Sequence, residues 1–431
     1  MQRVFVIDKN EEPLMPCHPA RARKLLKTGR AVVFRHHPFT IILKDREGGA
    51  VQDIQFKVDP GAKTSGLALV ADFKCGLRCV WAAELTHRGW QIKDNLLSRR
   101  QLRRSRRSRK TRYRQPRFLN RTRPKGWLPP SLKNRVDNIF TWLERLYHFA
   151  PITHLAMELV RFDTQKMQNA EISGIEYQQG ELQGYEIREY LLEKWNRTCA
   201  YCGATDVPLE IEHIVPKSRG GSNRVSNLTL ACTPCNQKKG NQTAKEFGHP
   251  KVQAQAKQPL QDAAAVNATR WKLFAALEAT DLPLEIGTGG RTKFNRTKQN
   301  YPKTHWLDAV CVGESGEQVF VSSHHAPLLI QATGRQSRQM CRVDRFGFPR
   351  TKAKQSRIQK GFQTGDVVKA VVTKGKKMGR YIGRVAVRQS GFFNITTCEG
   401  VVQGISHRYC THLHQNDGYS YQKGEAASST R

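Results

Sequence analysis

The chain has 431 residues, with 72 Lys and Arg against 36 Asp and Glu, a formal net charge of +36 and a sequence pI near 10.1. That length fits two to four domains with a real core. The charge far exceeds what solubility asks for, which excludes a merely solvated surface and points to a polyanionic partner, nucleic acid. Four of the eleven cysteines form two CxxC pairs. The other seven, Cys17, Cys75, Cys79, Cys311, Cys341, Cys398 and Cys410, fall at irregular spacing, as in a reducing compartment and not in a disulfide framework. No apolar run approaches the ~20 residues of a membrane span, and Met1–Asn10 reads as a charged strand rather than a secretory leader.

In chain order, Val4–Asp8 is a predicted strand followed by the turn Pro13-Leu14-Met15-Pro16. A basic helix, Pro19–Lys27, stops at Gly29, and strands Ala31–Phe34 and Thr40–Leu43 follow. Ile54–Val58 alternates, Asp59-Pro60-Gly61 breaks the pattern, and Gly66–Val70 and Cys79–Ala83 continue a hairpin or meander. Between Arg99 and Lys125 there are 14 Lys or Arg in 27 residues and no acid. This run is helix-compatible up to Pro116, but self-repelling, so it needs phosphates to be stable. Within it, Tyr113 and Phe118 are read as packing residues before base-stacking ones.

Leu132, Val136, Ile139, Phe140, Leu143, Leu146 and Tyr147 have helical periodicity, and His154–Leu159 reads as a buried strand. Residues 184–195 are expected as a helix entering a cysteine-bracketed module that ends near Phe247. A helix over Ala263–Leu277, a glycine-rich basic loop over Gly287–Lys298 and a helix beginning in Lys303–Val312 follow. Beyond residue 336, Asp366–Val372, Arg380–Val387 and Gly391–Ile395 predict a small basic β-rich domain, with a disordered tail after Lys423. Arg380, Arg384 and Arg388 alternate with apolar residues and are expected on one strand face, as candidate DNA contacts.

Cys199, Cys202, Cys232 and Cys235 can hold one Zn²⁺ in a tetrahedral all-sulfur shell. The 29 residues between the pairs exceed the usual zinc-ribbon interval and suit a loop carrying an active-site strand. That loop contains Ile211-Glu212-His213-Ile214-Val215-Pro216 and then Asn227, and Asn236 directly follows the last cysteine. The pattern resembles an HNH nuclease, in which a zinc-stapled hairpin and helix present a histidine base and a hydrolytic metal. Taken singly, the remaining acids say less: Asp59 reads as a turn residue, Glu158 as an edge position or a site, and His305 with Asp308 as a surface pair. The doublets His36-His37 and His324-His325 read as ordinary surface or core histidines, and Cys75, Cys79 and Cys17-His18 lack ligand partners.

Together these residues resemble the IscB family, transposon-encoded RNA-guided nucleases related to the type II CRISPR effectors. Pro13–Pro16 matches that family's PLMP motif, Val58–Gly61 its first RuvC motif, Met157-Glu158-Leu159 the second and His305–Ala309 the third. The Arg99–Lys125 run matches its bridge helix. The resemblance implies an α/β multidomain protein with an RNase H-like (RuvC) fold, split by a bridge helix and an inserted ββα-metal HNH domain. The expected divisions are 1–53 (PLMP), 54–95 (RuvC part I), 96–125 (bridge helix), 126–185 (RuvC part II), 186–247 (HNH with zinc), 248–335 (RuvC part III) and 336–431 (a C-terminal domain contacting RNA and the adjacent motif).

The implied activity is RNA-guided double-stranded DNA cleavage, with HNH cutting the guide-paired strand and RuvC the displaced strand. Asp59, Glu158 and Asp308 would hold Mg²⁺ beside His305; Glu212 and Asn236 would hold it beside the base His213, with Asn227 bracing the loop. Two hard cations about 4 Å apart suit an in-line phosphodiester displacement. Zn²⁺ would be structural. Arg99, Arg100, Arg103, Arg104, Arg106, Arg107, Arg109, Lys110, Arg112 and Arg114 would contact nucleic acid. The implied partners are a large noncoding guide (omega) RNA, one chain per RNA, and a DNA duplex with a short adjacent motif, in a prokaryotic cytoplasm at the nucleoid and with no membrane. The alternatives are a protein-only HNH homing or restriction nuclease and a non-catalytic RNA-binding transposon protein.

Overall fold

The computed structural model describes residues 2–108, 126–159, 188, 190–192, 194–205, 207–257, 263–334, 344–346, 348–352 and 356–426. Arg109, Lys110, Arg112 and Arg114, with Tyr113, Phe118 and Cys341, lie outside the described residues.

The first unit is a four-stranded sheet under one helix. It comprises β1 (Val4–Ile7), β2 (Pro13–Cys17), α1 (Pro19–Lys27), β3 (Ala31–Arg35) and β4 (Thr40–Leu43), with sheet order β2-β1-β4-β3. Helix α1 starts where His18 accepts the Ala20 N–H and Pro19 needs no donor, and it ends before Gly29 at φ 70°.

The central sheet begins with an antiparallel meander of β5 (Ile54–Asp59), β6 (Thr64–Phe73) and β7 (Gly76–Thr86). Two helices follow, α2 (Gly89–Ser108) and α3 (Pro130–Tyr147). The basic helix therefore begins ten residues before the arginine run that announced it. Strand β8 (Ile152–Glu158) then runs parallel beside β5. Ile54, Phe56 and Val58 are fully buried on one face of β5. Lys57 is equally buried on the other, where its ammonium donates to Val312 O (2.9 Å) and Ser315 Oγ (2.7 Å). A buried charge so bonded pins the strand to the chain that follows the third acidic motif.

The cysteine module consists of β9 (Leu209–His213) and β10 (Leu228–Cys232), antiparallel, and α4 (Thr233–Lys239). Tyr190, Leu191, Leu192 and Trp195 share its core, as do Val252 and Ala256 of α5 (Pro250–Lys257). The module thus runs past the expected end at Phe247, because α5 covers apolar surface that would otherwise face water.

Helix α6 (Ala263–Glu278) leads to β11 (Leu284–Gly287), parallel to β8. The expected glycine-rich loop over 287–298 is instead the end of β11 plus a helix, α7 (Gly289–Lys298), capped by the Thr288 hydroxyl on the Arg291 N–H. The glycine signal has a different cause: a Cβ on Gly287 would stand 2.5 Å from Gly313 N. Helix α8 (His305–Val310) packs on β6 so closely that a Cβ on Gly66 would lie 1.8 Å from His305 O. Glycine there sets the depth of the helix that carries Asp308.

Strand β12 (Leu328–Ala332) pairs parallel with β7. A short hairpin, β13 (Ile358–Gln359) with β14 (Phe362–Gln363), precedes β15 (Val367–Val372), β16 (Gly379–Ala386), β17 (Phe392–Thr396), β18 (Val401–Ser406) and β19 (Cys410–His414). These last five form an antiparallel sheet of order β18-β17-β16-β15-β19 around Val368, Ala370, Val385, Phe393 and Ile395. The C-terminal sheet has its own core, and the end of the chain then returns to the central sheet. Strand β20 (Tyr419–Lys423) pairs antiparallel with β12 and closes its open edge, giving the order β11-β8-β5-β6-β7-β12-β20. Beyond Lys423, Gly424 N still bonds Pro327 O; residues 427–431 lie outside the described residues. No described helix is long and apolar enough to cross a membrane.

Candidate functional site

Asp59 ends β5, Glu158 ends the neighbouring parallel β8, and Asp308 sits on α8 across β6. The fold brings all three, with His305, to one cavity of about 300 Å³. Their separation in sequence is large; their convergence follows from β5 and β8 ending together and from Gly66 admitting α8. His305 Nδ1 lies 4.0 Å from Asp59 Oδ2. That carboxylate raises the imidazole pKa against the opposing effect of burial.

Burial pushes the Glu158 pKa up, and the Asp59 charge adds to this, while Arg270 opposes it. Asp308 is raised for the same reasons, with Arg296 opposing. Two buried arginines that sequence reasoning missed hold these acids. Arg270 stands 3.6 Å from Glu158 and donates to Pro60 O, tying the ends of β8 and β5. Arg296 pairs with Asp308 at 2.9 Å. Both lie in ordinary helical stretches with no signal in spacing. Lys63, Arg197, Lys293 and Lys303 also line the cavity. Hard carboxylate oxygens on a cation-rimmed cavity suit divalent metal and phosphate together.

In the cysteine module, one sulfur each from Cys199, Cys202, Cys232 and Cys235 fall within 4.8 Å of one another, and Cys202 Sγ lies 3.7 Å from Cys232 Sγ. A tetrahedral ion with bonds of about 2.3 Å sets its sulfurs about 3.8 Å apart, so the cluster fits a zinc-sized ion.

His213 ends β9 with Nε2 2.9 Å from Asn223 Oδ1. Asn227 spans the following loop, accepting from Val215 N and donating to Val215 O and Ser222 O. Glu212 and Asn236, expected as a ligand pair, have different partners. Glu212 is buried, with Tyr201 Oη donating to Oε2 at 2.6 Å and Lys239 Nζ on Oε1 at 2.5 Å. Lys239 also donates to His213 O. Asn236 donates to Glu210 at 2.6 Å, and Thr233 donates to the same carboxylate. The cause is geometric: strand alternation puts Glu210 and Glu212 on one face of β9, where the start of α4 reaches the first and its end reaches the second. The three-residue spacing of Asn236 and Lys239 was the available clue to a shared helix face.

Arg99, Arg100, Arg103, Arg104, Arg106 and Arg107 are all exposed on α2. Arg380 and Arg384 are exposed on β16, with Val385 turned into the core, and Arg388 is exposed just beyond the strand. The histidine doublets take structural places: His37 stacks on Tyr421 at 4.5 Å, and His325 is buried against Trp306.

Residues 4–180 match the RRXRR protein family, and residues 199–251 match the HNH endonuclease family. Among solved structures, Streptococcus thermophilus Cas9 in complex with the AGAA PAM is similar at 13% identity and a TM-score of 0.23, over 60% of this chain and 32% of that one. The type II-C Cas9 enzyme from Actinomyces naeslundii is similar at 18% identity and a TM-score of 0.17, over 43% and 23%. The chain thus spans about a third or less of the length of these enzymes. No curated protein matches it.

Proposed function

We propose that this chain, an IscB/Cas9-like nuclease joining an RRXRR segment to an HNH endonuclease domain, is an RNA-guided endonuclease that cuts the two strands of a DNA duplex at two separate sites. The observation that carries the second site is the convergence of Asp59, Glu158 and Asp308 on one cavity, remote in sequence from the HNH residues. The strand order β7-β6-β5-β8-β11, three antiparallel strands followed by two parallel ones, supports an RNase H-like reading of the sheet.

In that reading Asp59, Glu158 and Asp308 hold Mg²⁺, which when bound supplies Lewis-acid stabilisation of the attacking and leaving oxygens. Lys63, Lys293 and Lys303 at the cavity rim bind the phosphates flanking the scissile bond. His305, its basicity raised by Asp59, sits where it can hold a proton beside the reacting water. In the HNH module His213 takes the proton of the attacking water, and Asn223 and Asn227 fix its ring and its loop. Glu212 and Asn236, which here contact Lys239 and Glu210, are the residues that would hold the metal there. The four cysteines hold a structural Zn²⁺.

The HNH site is assigned the guide-paired strand and the acidic cavity the displaced strand. The +36 charge and the exposed arginines of α2 suit a large RNA that scaffolds the heteroduplex, with base pairing reading sequence and the basic C-terminal sheet gripping a short adjacent duplex motif. Strand-labelled duplex and the RNA that copurifies with the chain test the reading. His213→Ala should nick the displaced strand and Asp59→Ala the paired strand. Loss of both cuts in either variant refutes two separate sites, and the absence of a defined RNA refutes guidance.

A further inference from the structure

Arg197 belongs to the zinc module by chain and by packing. It lies two residues before Cys199, and its backbone N–H bonds Leu192 O at 2.8 Å. Leu192 and Trp195, shortly before it in the chain, are buried in the module's core. Yet Leu192, Asn196 and Arg197 line the acidic cavity of the central sheet together with Asp59, Glu158 and Asp308. The contact between the two units is direct: Ala62, in the turn after Asp59, packs against the zinc module's core.

The backbone that delivers Arg197 is held in an uncommon conformation. Asn196 and Arg197 are consecutive left-handed residues, at φ 53° and 55°. Asparagine tolerates that region; arginine gains nothing from it, and such conformations persist where the surroundings impose them. What the conformation achieves here is to aim a long cationic side chain out of one unit and into the pocket of another.

We propose that Arg197 is a built-in counter-ion through which the docked zinc module occupies the acidic cavity and competes with the divalent metal for its carboxylates. The inference rests on the reading of that cavity as a metal site. Arg197 lines the same cavity as Glu158 and Asp308, so its charge opposes a divalent cation there. Arg270 and Arg296 are anchored within the central unit, on Pro60 O and Asp308. Arg197 differs from them because it leaves the cavity when the zinc module moves away. Movement of the module toward its own DNA strand would then raise the metal affinity of the other site, coupling the two cuts.

The test uses the full chain with Asn236→Ala in every variant, which removes the Mg²⁺ site assigned to the HNH module, and Mg²⁺ alone, with binding read by calorimetry and by the rise in melting temperature. Arg197→Gln should lower the Mg²⁺ concentration needed for half-saturation by roughly three- to tenfold, the scale of removing one unit charge near a solvent-screened cation site. Arg197→Lys, which keeps the charge, should bind Mg²⁺ as the parent does. Asp59→Asn separates the premises. If Asp59→Asn abolishes Mg²⁺ binding while Arg197→Gln leaves it unchanged or weakens it, the counter-ion role is overturned alone. If binding survives Asp59→Asn, the metal reading and this inference fall together. Reduced displaced-strand cleavage by Arg197→Gln at saturating Mg²⁺, with unchanged affinity, would make Arg197 a phosphate-binding cation and also overturn the proposal.

Discussion

Replacing Lys239 by Met should loosen the cysteine module by removing one partner of a buried ion pair. Lys239 is 1% exposed and Glu212 6%, and the two meet at 2.5 Å. Methionine keeps most of the lysine volume but leaves the Glu212 carboxylate buried with Tyr201 as its remaining side-chain donor. Breaking a buried pair on one side costs about 3–5 kcal/mol, because the surviving charge has lost its compensation. The same lysine also donates to His213 O, so the strand end at His213 loses a bond as well. A chelator that traps released zinc reads opening of this module selectively. At about 1.4 kcal/mol per tenfold change, release should speed up by roughly two to three and a half orders of magnitude. The double variant Glu212→Gln/Lys239→Met removes both charges, and Tyr201 still has an oxygen to donate to, so release should return most of the way to the parent rate. Parent-like zinc release from Lys239→Met, or no recovery in the double variant, would refute the assignment of this pair as the module's buried brace.

Changing Cys199 or Cys232 to Ser should cost the bound zinc and unfold the module, since a closed thiolate site contributes folding free energy directly; metal analysis and strand-specific cleavage check this, and a zinc-free chain that still cuts the paired strand would contradict it. Glu158 has its pKa raised in the fold, from 4.5 to about 8, so the folded state binds the extra proton. Its contribution to stability is therefore present below about pH 4.5 and is lost as pH rises toward 8. Melting without added divalent metal should show Glu158→Gln gaining on the parent between pH 5 and pH 8; a constant difference would mean the carboxylate is not penalised. Replacing Arg103, Arg104, Arg106 and Arg107 by Ala should weaken RNA binding and flatten its log–log salt dependence by about 0.7–0.9 for each phosphate no longer neutralised; an unchanged slope would put these arginines in solvent. Substituting Arg380, Arg384 and Arg388 should change which flanking motifs support cleavage in a randomised library if they read bases, whereas a uniform loss would make them phosphate contacts.

The elements whose identity rests on local physics were readable from the chain. Helix α1 runs over Pro19–Lys27 as its proline, basic end and glycine stop announced. The hairpin of β5 and β6 that carries Asp59 followed from alternation broken by Pro-Gly. What was not readable depended on partners distant in sequence. Gly287 and Gly66 looked like loop and strand glycines, and the reason for each is a backbone more than twenty residues away. Glu212 was expected beside Asn236, but alternation along β9 offers Glu210 to the start of α4. Strand β20 was not anticipated from the sequence, and its place was decided by the open edge of β12. Arg270, Arg296 and Arg197 carried no motif at all, because a buried counter-ion is defined by the charge it meets.

Those three arginines bear on how an acidic site exists inside so basic a chain. A surface of net +36 draws in phosphates everywhere, yet phosphodiester hydrolysis needs a place where carboxylates outcompete that field for a divalent cation. In the proposed reading Asp59, Glu158 and Asp308 provide it, but without a cation, burial and the neighbouring Asp59 charge both raise the pKa of Glu158 and Asp308. A fold that waited for metal to relieve this repulsion would be unstable until loaded. Arg270 and Arg296 relieve it in advance from within the same unit. Because guanidinium charge near the carboxylates also opposes metal, the arrangement trades affinity for stability. The part of that trade supplied by Arg197 can be withdrawn by moving a neighbouring unit, whereas the part supplied by Arg270 and Arg296 cannot.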